Sequence, residues 1–228
     1  MNCVPDTPAR WSAFFDVDGT LISIKSMFSF LGFLEEQLSW RGQEHYQRYR
    51  VQLQALIDSQ APREAINRFY YSVYAGLPVA QLLALGRAWY AQVRNSAELF
   101  LAAPLAEIRW HQAQGADVVL VSGSFNALLA PLAEDLGVTY LIGAPLEEHD
   151  GVYTGKLSGL PTIGQGKVLG LRAHCQRRGQ RPEDCYAYGD DVSDVPMLEA
   201  VGHPTMVNPD AARRQLCQVR QWNIIDAA

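Results

Sequence analysis

The order of apolar runs along this 228-residue chain limits the folds that it can adopt. Short apolar runs, each followed by small or polar residues, are separated mostly by helical segments. These runs are WSAFF (11–15), ADVVLVS (116–122), VTYLIG (138–143) and CYAYG (185–189). Strands that alternate with helices are typical of a parallel sheet covered by helices on both faces. We therefore predict an α/β fold of this kind.

A long segment between the first and second runs has no strand character. From about residue 26 to residue 114, apolar residues recur at three- and four-residue spacing, as in REAINRFYYSVYAG (63–76), and this spacing predicts helices. Pro104 should break or kink the helix that follows it. The predicted divisions are a catalytic core from residues 11–20 and 106–228, a helical module from residues 21–105 and a flexible lead-in from residues 1–10.

Charge and cysteine usage narrow the functional classes. The formal net charge of −5 gives no reason to expect attraction to nucleic acid or to anionic membranes. No apolar run approaches the roughly 20 residues of a membrane span, and the first ten residues do not resemble a secretion signal. The cysteines are far apart in the sequence and indicate reduced thiols: Cys3, Cys175, Cys185 and Cys217. We predict a cytoplasmic monomer or homodimer that binds neither nucleic acid nor membrane.

Two carboxylates directly follow the first apolar run, in the sequence FFDVDGT. Asp16 is the first residue past the run, so it should lie at the carboxyl edge of the sheet, where sites form in open α/β proteins. Asp18 should point to the same face, and Thr20 could hold it through a local hydrogen bond. An Asx-rich turn is the structural alternative. An EF-hand loop is excluded because its twelfth position is Met27 rather than Glu.

Two further segments, VVLVSGS and GQGKV, are suited to binding an anion. Ser122 and Gly123 stand at a strand-to-helix junction, where a hydroxyl and free backbone N–H groups can bind an anion; a simple helix cap is the alternative. Lys167 lies near the start of a helical segment, where the helix dipole disfavours a cation. Such a conflict indicates either a functional residue or a tolerated exposed lysine. A P-loop is excluded because Pro161 and Val168 replace its glycine and its Ser or Thr.

The fourth segment, YAYGDDVSD, places three acids after an apolar run. Asp191 or Ser193 could cap the next helix, but Asp190 and Asp194 exceed what a cap needs. If these acids and the two of the first segment converge at one sheet edge, they repel and raise one another's pKa. A hard cation such as Mg²⁺, which takes carboxylate, water and phosphate oxygens, resolves this repulsion. The two anion-binding segments would then complement a phosphate dianion.

These four segments, in this order at successive strand ends, resemble the four motifs of the haloacid dehalogenase superfamily of Mg²⁺-dependent phosphohydrolases. The helical insert after the first motif, the segment DGVYTGKL and the tail YGDDVSDVPMLEAVGHPTMVNPD are similar to the phosphoserine-phosphatase-like branch, subfamily IB. The resemblance runs from about residue 11 to the end and implies a Rossmann-like core with a helical-bundle cap. Asp150–Gly151 within this region is also a hairpin signal.

The resemblance implies a role for each motif residue. Asp16 would attack phosphorus and become an aspartyl phosphate, whereas Asp18 would protonate the leaving alcohol and then activate water. Asp16, the backbone carbonyl of Asp18 and Asp190 would hold Mg²⁺. Asp194 would support them through bound water or Lys167. The residues implied to contact the phosphoryl oxygens are Ser122, Gly123, Lys167 and Thr20.

We therefore predict a Mg²⁺-dependent phosphatase that hydrolyses the phosphate monoester of a small metabolite. Asp18 favours ester cleavage, because dehalogenase and phosphonatase members of the family lack an acid at that position. The alternatives are a phosphotransferase that passes the aspartyl phosphate to an acceptor alcohol and a non-catalytic binding module of the same fold.

The substrate itself is not predicted by the motifs. The loop LISIKSM has no acid before Glu35, which puts phosphoserine in question because its amine would lack a partner. Lys25, with Arg63 or Arg68, could favour an anionic organic group; a solvated helix face is the alternative for each. No primary role is predicted for Asp191.

Overall fold

A sheet of six parallel strands organises the protein, whose computed structural model describes residues 9–39 and 43–227. The strands of this sheet and of a separate hairpin are β1 (Ser12–Phe15), β2 (Asp117–Val121), β3 (Tyr140–Ile142), β4 (Leu146–His149), β5 (Val152–Leu157), β6 (Tyr186–Gly189), β7 (His203–Val207) and β8 (Asn223–Ile225). The order in the main sheet is β3–β2–β1–β6–β7–β8. The predicted parallel α/β sheet is confirmed.

Helices cover both faces of the sheet. The α-helices of the described residues are α1 (Ser26–Gln37), α2 (Glu44–Asp58), α3 (Arg63–Tyr71), α4 (Val79–Val93), α5 (Ala102–Ala113), α6 (Asn126–Leu136), α7 (Gln165–Arg178), α8 (Val195–Glu199) and α9 (Ala211–Arg220). Apolar residues of α5 and α6 share one core with the insert, whereas those of α7, α8 and α9 share a second core on the opposite face.

Strand β1 shows why both faces are covered. Its side chains alternate between the faces, so Phe15 stacks on Tyr188 with ring centroids 4.2 Å apart, while Phe14 meets the edge of His174 on the other side. Both phenylalanines are fully buried. A strand buried on both faces, in the middle of a parallel sheet, brings the residue after it to the carboxyl edge.

Strands β7 and β8 have no prediction from the sequence. β8 is only three residues long, and β7 contains Pro204. β7 pairs with β8 only from Thr205 onward, so the missing N–H of Pro204 deprives no β8 residue of a partner. Proline is tolerated at such an edge position, although it argues against a strand when the sequence is read alone.

The expectation for Pro104 is wrong. The residue does not break a helix but lies in the first turn of α5. Backbone N–H groups of a first turn have no partner within the helix, so a proline there removes no hydrogen bond. Helix α5 also spans the predicted boundary at residue 105, and the division into core and cap stays a prediction.

Helices α1 to α4 form the insert between β1 and β2. Its tyrosines Tyr70, Tyr71 and Tyr74 are fully buried, as expected of a bundle core. The two chain segments that join the insert to the sheet lie side by side: Ser23 N donates to Leu99 O at 2.8 Å, and Leu101 N donates to Leu21 O at 2.9 Å. The insert is therefore attached through one paired connection.

The hairpin β4–β5 turns at Asp150–Gly151 as predicted, with positive φ at both residues. It packs on the insert through two backbone hydrogen bonds of 2.9 Å. Tyr153 N donates to Leu77 O, and Gly76 N donates to Tyr153 O.

Two further expectations concern the cysteine thiols and membrane-spanning helices. The lead-in up to residue 8, with Cys3, lies outside the described residues; Cys175, Cys185 and Cys217 are buried free thiols. Among the residues that the structure describes, no helix combines the length and the apolar character that crossing a membrane requires.

Candidate active site

Asp16 leaves β1 at the carboxyl edge of the sheet, where the sequence places it. Its backbone N–H donates to Tyr188 O at 2.9 Å and so continues the pairing of β1 with β6. Gly19 then turns the chain with a φ of 98°, and a Cβ there would clash with the carboxylate of Asp190. The glycine therefore permits the loop after β1 to approach the loop after β6.

Lys167 joins two of the acids. Its Nζ lies 2.5 Å from Asp16 Oδ1 and 2.6 Å from Asp194 Oδ1, and all three side chains are buried. Burial alone would lower the pKa of Lys167, but the charges of Asp16 and Asp194 outweigh burial and raise it. These two ion pairs explain why a lysine is tolerated in the first turn of α7.

Asp16, Asp190 and Asp194 form an acidic cluster. Each offers one carboxylate oxygen, and these oxygens lie within 4.8 Å of one another. Burial is the largest cause that raises the pKa of each, and the neighbouring carboxylates add to it. Two buried carboxylates and one half-buried carboxylate that repel one another fit a hard divalent cation such as Mg²⁺, which would balance their charge. The coarser prediction of an acidic metal-type cluster is therefore confirmed.

Asp18 has a separate environment. Its Oδ2 accepts hydrogen bonds from Ser26 N at 2.8 Å and Ser26 Oγ at 3.0 Å, while Oδ1 is buried without a partner among the described residues. Burial raises the pKa of Asp18 to about 7, although the bonds from Ser26 act to lower it. An unpartnered buried oxygen suits a protonated acid. The backbone carbonyl of Asp18 accepts a hydrogen bond from Lys25 Nζ at 2.9 Å.

Ser122 and Gly123 follow β2 at the same edge of the sheet. Ser122 Oγ accepts a hydrogen bond from Ser124 N at 3.0 Å, which leaves the hydroxyl proton of Ser122 free to donate. The residue does not cap α6, whose N-cap is Phe125. The Gly123 carbonyl accepts two hydrogen bonds from α3 of the insert, from Asn67 Nδ2 at 2.9 Å and from Tyr71 Oη at 2.6 Å.

Thr20 and Asp191 have different partners from those expected. Thr20 Oγ1 donates to Asp190 Oδ1 at 3.1 Å rather than to Asp18, because the turn at Gly19 brings the two loops together. The hydroxyl of Thr20 is therefore committed to Asp190, and Thr20 is not among the cavity-lining residues.

Asp191 does cap the short turn before α8, since its Oδ1 accepts Ser193 N at 2.8 Å. Its Oδ2 also lies 2.9 Å from Arg63 Nη2 on the insert. Burial alone would raise the pKa of Asp191, but the Ser193 bond and the Arg63 charge together lower it. The capping alternative therefore holds for one carboxylate oxygen of Asp191, and the other oxygen forms an ion pair across the cavity.

A cavity of about 460 Å³ lies between this sheet edge and the insert. The residues that line it with polar groups are Asp16, Asp18, Lys25, Arg63, Asn67, Ser122, Gly123, Ser124, Lys167, Asp190, Asp191 and Ser193. The more apolar lining residues are Met27, Phe28, Ile57, Ile66, Tyr70 and Ile163. Lys25 and Arg63 thus border the site, whereas Arg68 is not among the lining residues.

Several contacts of the site have no prediction from the sequence. Ser26 looks like an ordinary helix start, yet it binds Asp18. Arg213 Nη1 donates to the backbone carbonyl of Asp190. Asn67 and Tyr71 sit four residues apart on α3, and only the tertiary structure shows that both reach Gly123. No local pattern marks these residues, because each contact depends on how separate elements are placed in the tertiary structure.

Comparison with known proteins identifies the family. A family model described as haloacid dehalogenase-like hydrolase matches residues 13–199. A probable phosphatase of Mycobacterium tuberculosis, Rv3661, is 33% identical over 231 residues, which cover 97% of this chain and 79% of that protein. The chain belongs to the haloacid dehalogenase family of hydrolases.

Other relatives agree with this assignment. The phosphoserine phosphatase SerB1 of Mycobacterium tuberculosis is 33% identical over 226 residues, which cover 94% of this chain and 70% of that protein. The crystal structure of a protein from Bordetella pertussis Tohama I superimposes with a TM-score of 0.84 at 29% identity, covering 96% of this chain and 99% of that one. The predicted family resemblance and the assignment to its phosphatases are confirmed.

Proposed function

We propose that the protein hydrolyses the phosphate monoester of a small metabolite with Mg²⁺, through an aspartyl phosphate on Asp16. The observation that carries the proposal is the contact of Lys167 Nζ with both Asp16 and Asp194, at 2.5 and 2.6 Å, beside Asp190. Ser122 completes the group from the neighbouring strand end. A cation, a hydroxyl donor and a carboxylate nucleophile at one point are the requirements of phosphoryl transfer.

In the first step the Asp16 carboxylate bonds to phosphorus as the bond from phosphorus to the alcohol oxygen breaks. The proton that the departing alkoxide needs would come from Asp18, because burial raises its pKa to about 7 and so keeps a large fraction of the carboxyl protonated at neutral pH. In the second step Asp18 takes a proton from water, the water oxygen bonds to phosphorus, and the bond to Asp16 breaks. Inorganic phosphate and the alcohol are the products.

Other residues stabilise the charge that moves during these steps. Lys167 and the hydroxyl of Ser122 would donate to the phosphoryl oxygens, with the backbone N–H of Gly123 in the same loop. Bound Mg²⁺ would supply further neutralisation of phosphoryl charge. Its ligands would be Asp16, Asp190 and the carbonyl of Asp18, with Asp194 in support. We assign Thr20 the orientation of Asp190 in place of phosphate contact.

We further propose that helices α1 to α4 act as the cap of this site. The proposed division keeps residues 11–20 and 106–228 as the catalytic core and residues 21–105 as the cap. The cavity-lining side chains of α1, α2 and α3 support this division, because they face the motif residues across the cavity. The cap would exclude water from the reacting group.

The test is hydrolysis of an aryl phosphate with and without Mg²⁺, with EDTA and with the Asp16→Asn variant. We expect activity only with the metal and only with Asp16. A matched control is Asp117→Asn, because Asp117 is equally buried but pairs with Arg178 at the start of β2, away from the cavity. Hydrolysis that survives EDTA, or that Asp16→Asn leaves unchanged, contradicts the proposal.

The two alternatives have their own readouts. Product analysis with an added acceptor alcohol separates hydrolysis from phosphotransfer, since a transferase forms a new phosphate ester in place of inorganic phosphate. A non-catalytic module would bind Mg²⁺ yet turn over no ester of a broad panel. The contact of Lys167 with Asp16, with Asp18 lining the same cavity, favours catalysis over that module.

A further inference from the structure

We propose that the cavity selects phosphate esters of alcohols that combine an apolar body with a hydrogen-bond donor, and that it disfavours esters with a carboxylate beside the ester. This inference rests on the proposed phosphatase function and names the substrate class of the same site. It is carried by three features of the cavity: its apolar wall, the partners of its cations and one unpartnered acceptor.

The apolar wall would face the leaving group of a bound ester. Met27 and Phe28 of α1, Ile57 of α2 and Ile66 of α3 line the cavity from the insert, and Ile163 lines it from the core. Phe28 is 45% exposed although it is a large apolar side chain. An alcohol with an apolar or aromatic body would cover this surface and gain from its removal from water.

Every cation among the described lining residues is already bound to an oxygen of the protein. Lys167 contacts Asp16 and Asp194, and Lys25 donates to the carbonyl of Asp18 at the catalytic end of the cavity. The remaining cation, Arg63, lies on α3, the helix that also contributes Ile66 to the apolar wall.

Arg63 already forms an ion pair with Asp191. Their closest atoms lie 2.9 Å apart, and Arg63 Nη1 also lies 3.5 Å from Ser193 Oγ. The Asp191 side chain is 19% exposed. Arg63 is itself 54% exposed, so a substrate carboxylate could reach it only beside the Asp191 carboxylate or by displacing it, and either event brings two carboxylates to one cation. The ion pair therefore discriminates against an anionic leaving group.

Asn67, in contrast, favours a substrate that carries a hydrogen-bond donor. The residue is 4% exposed, and its Nδ2 donates to Gly123 O at 2.9 Å. The reverse amide orientation would place Oδ1 against the Gly123 carbonyl oxygen, so this hydrogen bond assigns the two atoms. Oδ1 has no hydrogen-bond partner among the described residues. A buried acceptor without a partner is destabilising, and an amine or hydroxyl of the substrate would satisfy it.

Three esters on closely related scaffolds test the proposal with the wild-type protein and Mg²⁺. Phenylalaninol phosphate carries an ammonium group and an aromatic body, 3-phenylpropyl phosphate lacks the ammonium group, and phosphoserine carries a carboxylate in place of the aromatic body. We expect kcat/KM for phenylalaninol phosphate to exceed that for each of the others by about 10-fold or more. An equal or higher kcat/KM for phosphoserine overturns the proposal.

Variants test the two polar elements separately. Asp191→Asn frees Arg63, so kcat/KM for phosphoserine should rise relative to phenylalaninol phosphate. Glu134→Gln is the matched control, because the Arg87–Glu134 pair likewise joins the insert to the rest of the protein, at α6, but does not line the cavity. That control should leave the ratio unchanged, and an unchanged ratio in Asp191→Asn contradicts the role of the ion pair.

For the acceptor, Asn67→Leu should reduce the preference for phenylalaninol phosphate over 3-phenylpropyl phosphate. Tyr71→Phe is its control, since Tyr71 makes the other bond to Gly123 but offers no acceptor to the substrate in this proposal. The same preference in both variants overturns the role of Asn67. If no ester and no aryl phosphate is hydrolysed, the proposed function itself fails; if the aryl phosphate is hydrolysed and phosphoserine is preferred, only this inference fails.

Discussion

The two ends of the cavity differ in how their residues are positioned. At the sheet end, Asp16, Ser122 and Asp190 each stand directly after a strand. Their side-chain oxygens accept hydrogen bonds from Lys167, Ser124 and Thr20, respectively. At the insert end, the lining residues are scattered over three helices, and Asn67 keeps an unpartnered oxygen. In the proposed function the sheet end would hold the reacting groups, whereas the insert end would offer groups to the substrate. On this proposal, the residues for the reaction and those for substrate selection come from different parts of the chain.

The largest expected effect comes from breaking the sheet end at Lys167. Lys167→Met leaves Asp16 and Asp194 buried without their cation, so we expect activity to fall to background. The thermal midpoint should also drop, because loss of one partner of a buried ion pair lowers the free energy of unfolding by roughly 3–5 kcal/mol. Kinetics and thermal unfolding measure the two effects. Lys156→Met, at an exposed position of β5, should change neither; wild-type activity in Lys167→Met contradicts the proposed site.

A second variant separates the two acids of the first motif. Asp18→Asn keeps an oxygen for Ser26 but removes the acid, so kcat should fall by about 10²–10⁴-fold. An aryl phosphate has a good leaving group and needs less protonation, so the first step should survive better with it than with an alkyl phosphate. Rapid quenching and intact-protein mass measurement should then detect one added phosphoryl group on the variant. Equal loss of both steps with both esters would argue against the acid role of Asp18.

The third prediction concerns the contact between the two ends. Tyr71→Phe removes one of the two hydrogen bonds that α3 makes to the Gly123 carbonyl, and a bond of this type contributes about 0.5–1.5 kcal/mol. We expect kcat to fall by roughly 2- to 10-fold while KM for a small aryl phosphate changes little. Tyr74→Phe is the control, because Tyr74 is equally buried but binds Tyr70 rather than the loop. Similar kcat values for both variants would indicate a purely structural role for Tyr71.

The smallest expected effect lies away from both ends. Glu134 and Arg87 form an exposed ion pair between α6 and α4, and exposed pairs contribute little to stability because water and salt screen them. Glu134→Gln should move the thermal midpoint by no more than about 2 °C and leave kcat and KM unchanged. A larger kinetic effect would show that the position of the insert depends on this surface contact.

The sheet end could largely be predicted from the sequence. Strands β1, β2, β3 and β6 are short apolar runs in the sequence, and a polar residue after such a run is expected at the edge of the sheet. The proximity of Asp16, Asp190 and Asp194 follows from this rule. The partner of Thr20 did not follow, because it depends on how closely two loops approach each other.

The insert end could not be predicted in the same way. Arg63 and Asp191 are 128 residues apart in the sequence, and Asn67 and Tyr71 resemble ordinary bundle residues. Helical periodicity predicts which face is buried but not which buried polar group meets another element. Strands β7 and β8 were not predicted for a related reason. β7 contains Pro204 and β8 has only three residues, so their strand character comes from pairing with neighbouring strands in the sheet.

The paired connection of the insert has a consequence for the history of such proteins. Because Ser23 and Leu99 are hydrogen-bonded neighbours, the two ends of the insert meet at one place on the sheet. A segment whose ends meet can be exchanged for another of different length without moving the strands that flank it. New specificities can therefore arise by replacing one contiguous block of sequence, while the residues after the strands remain under separate selection.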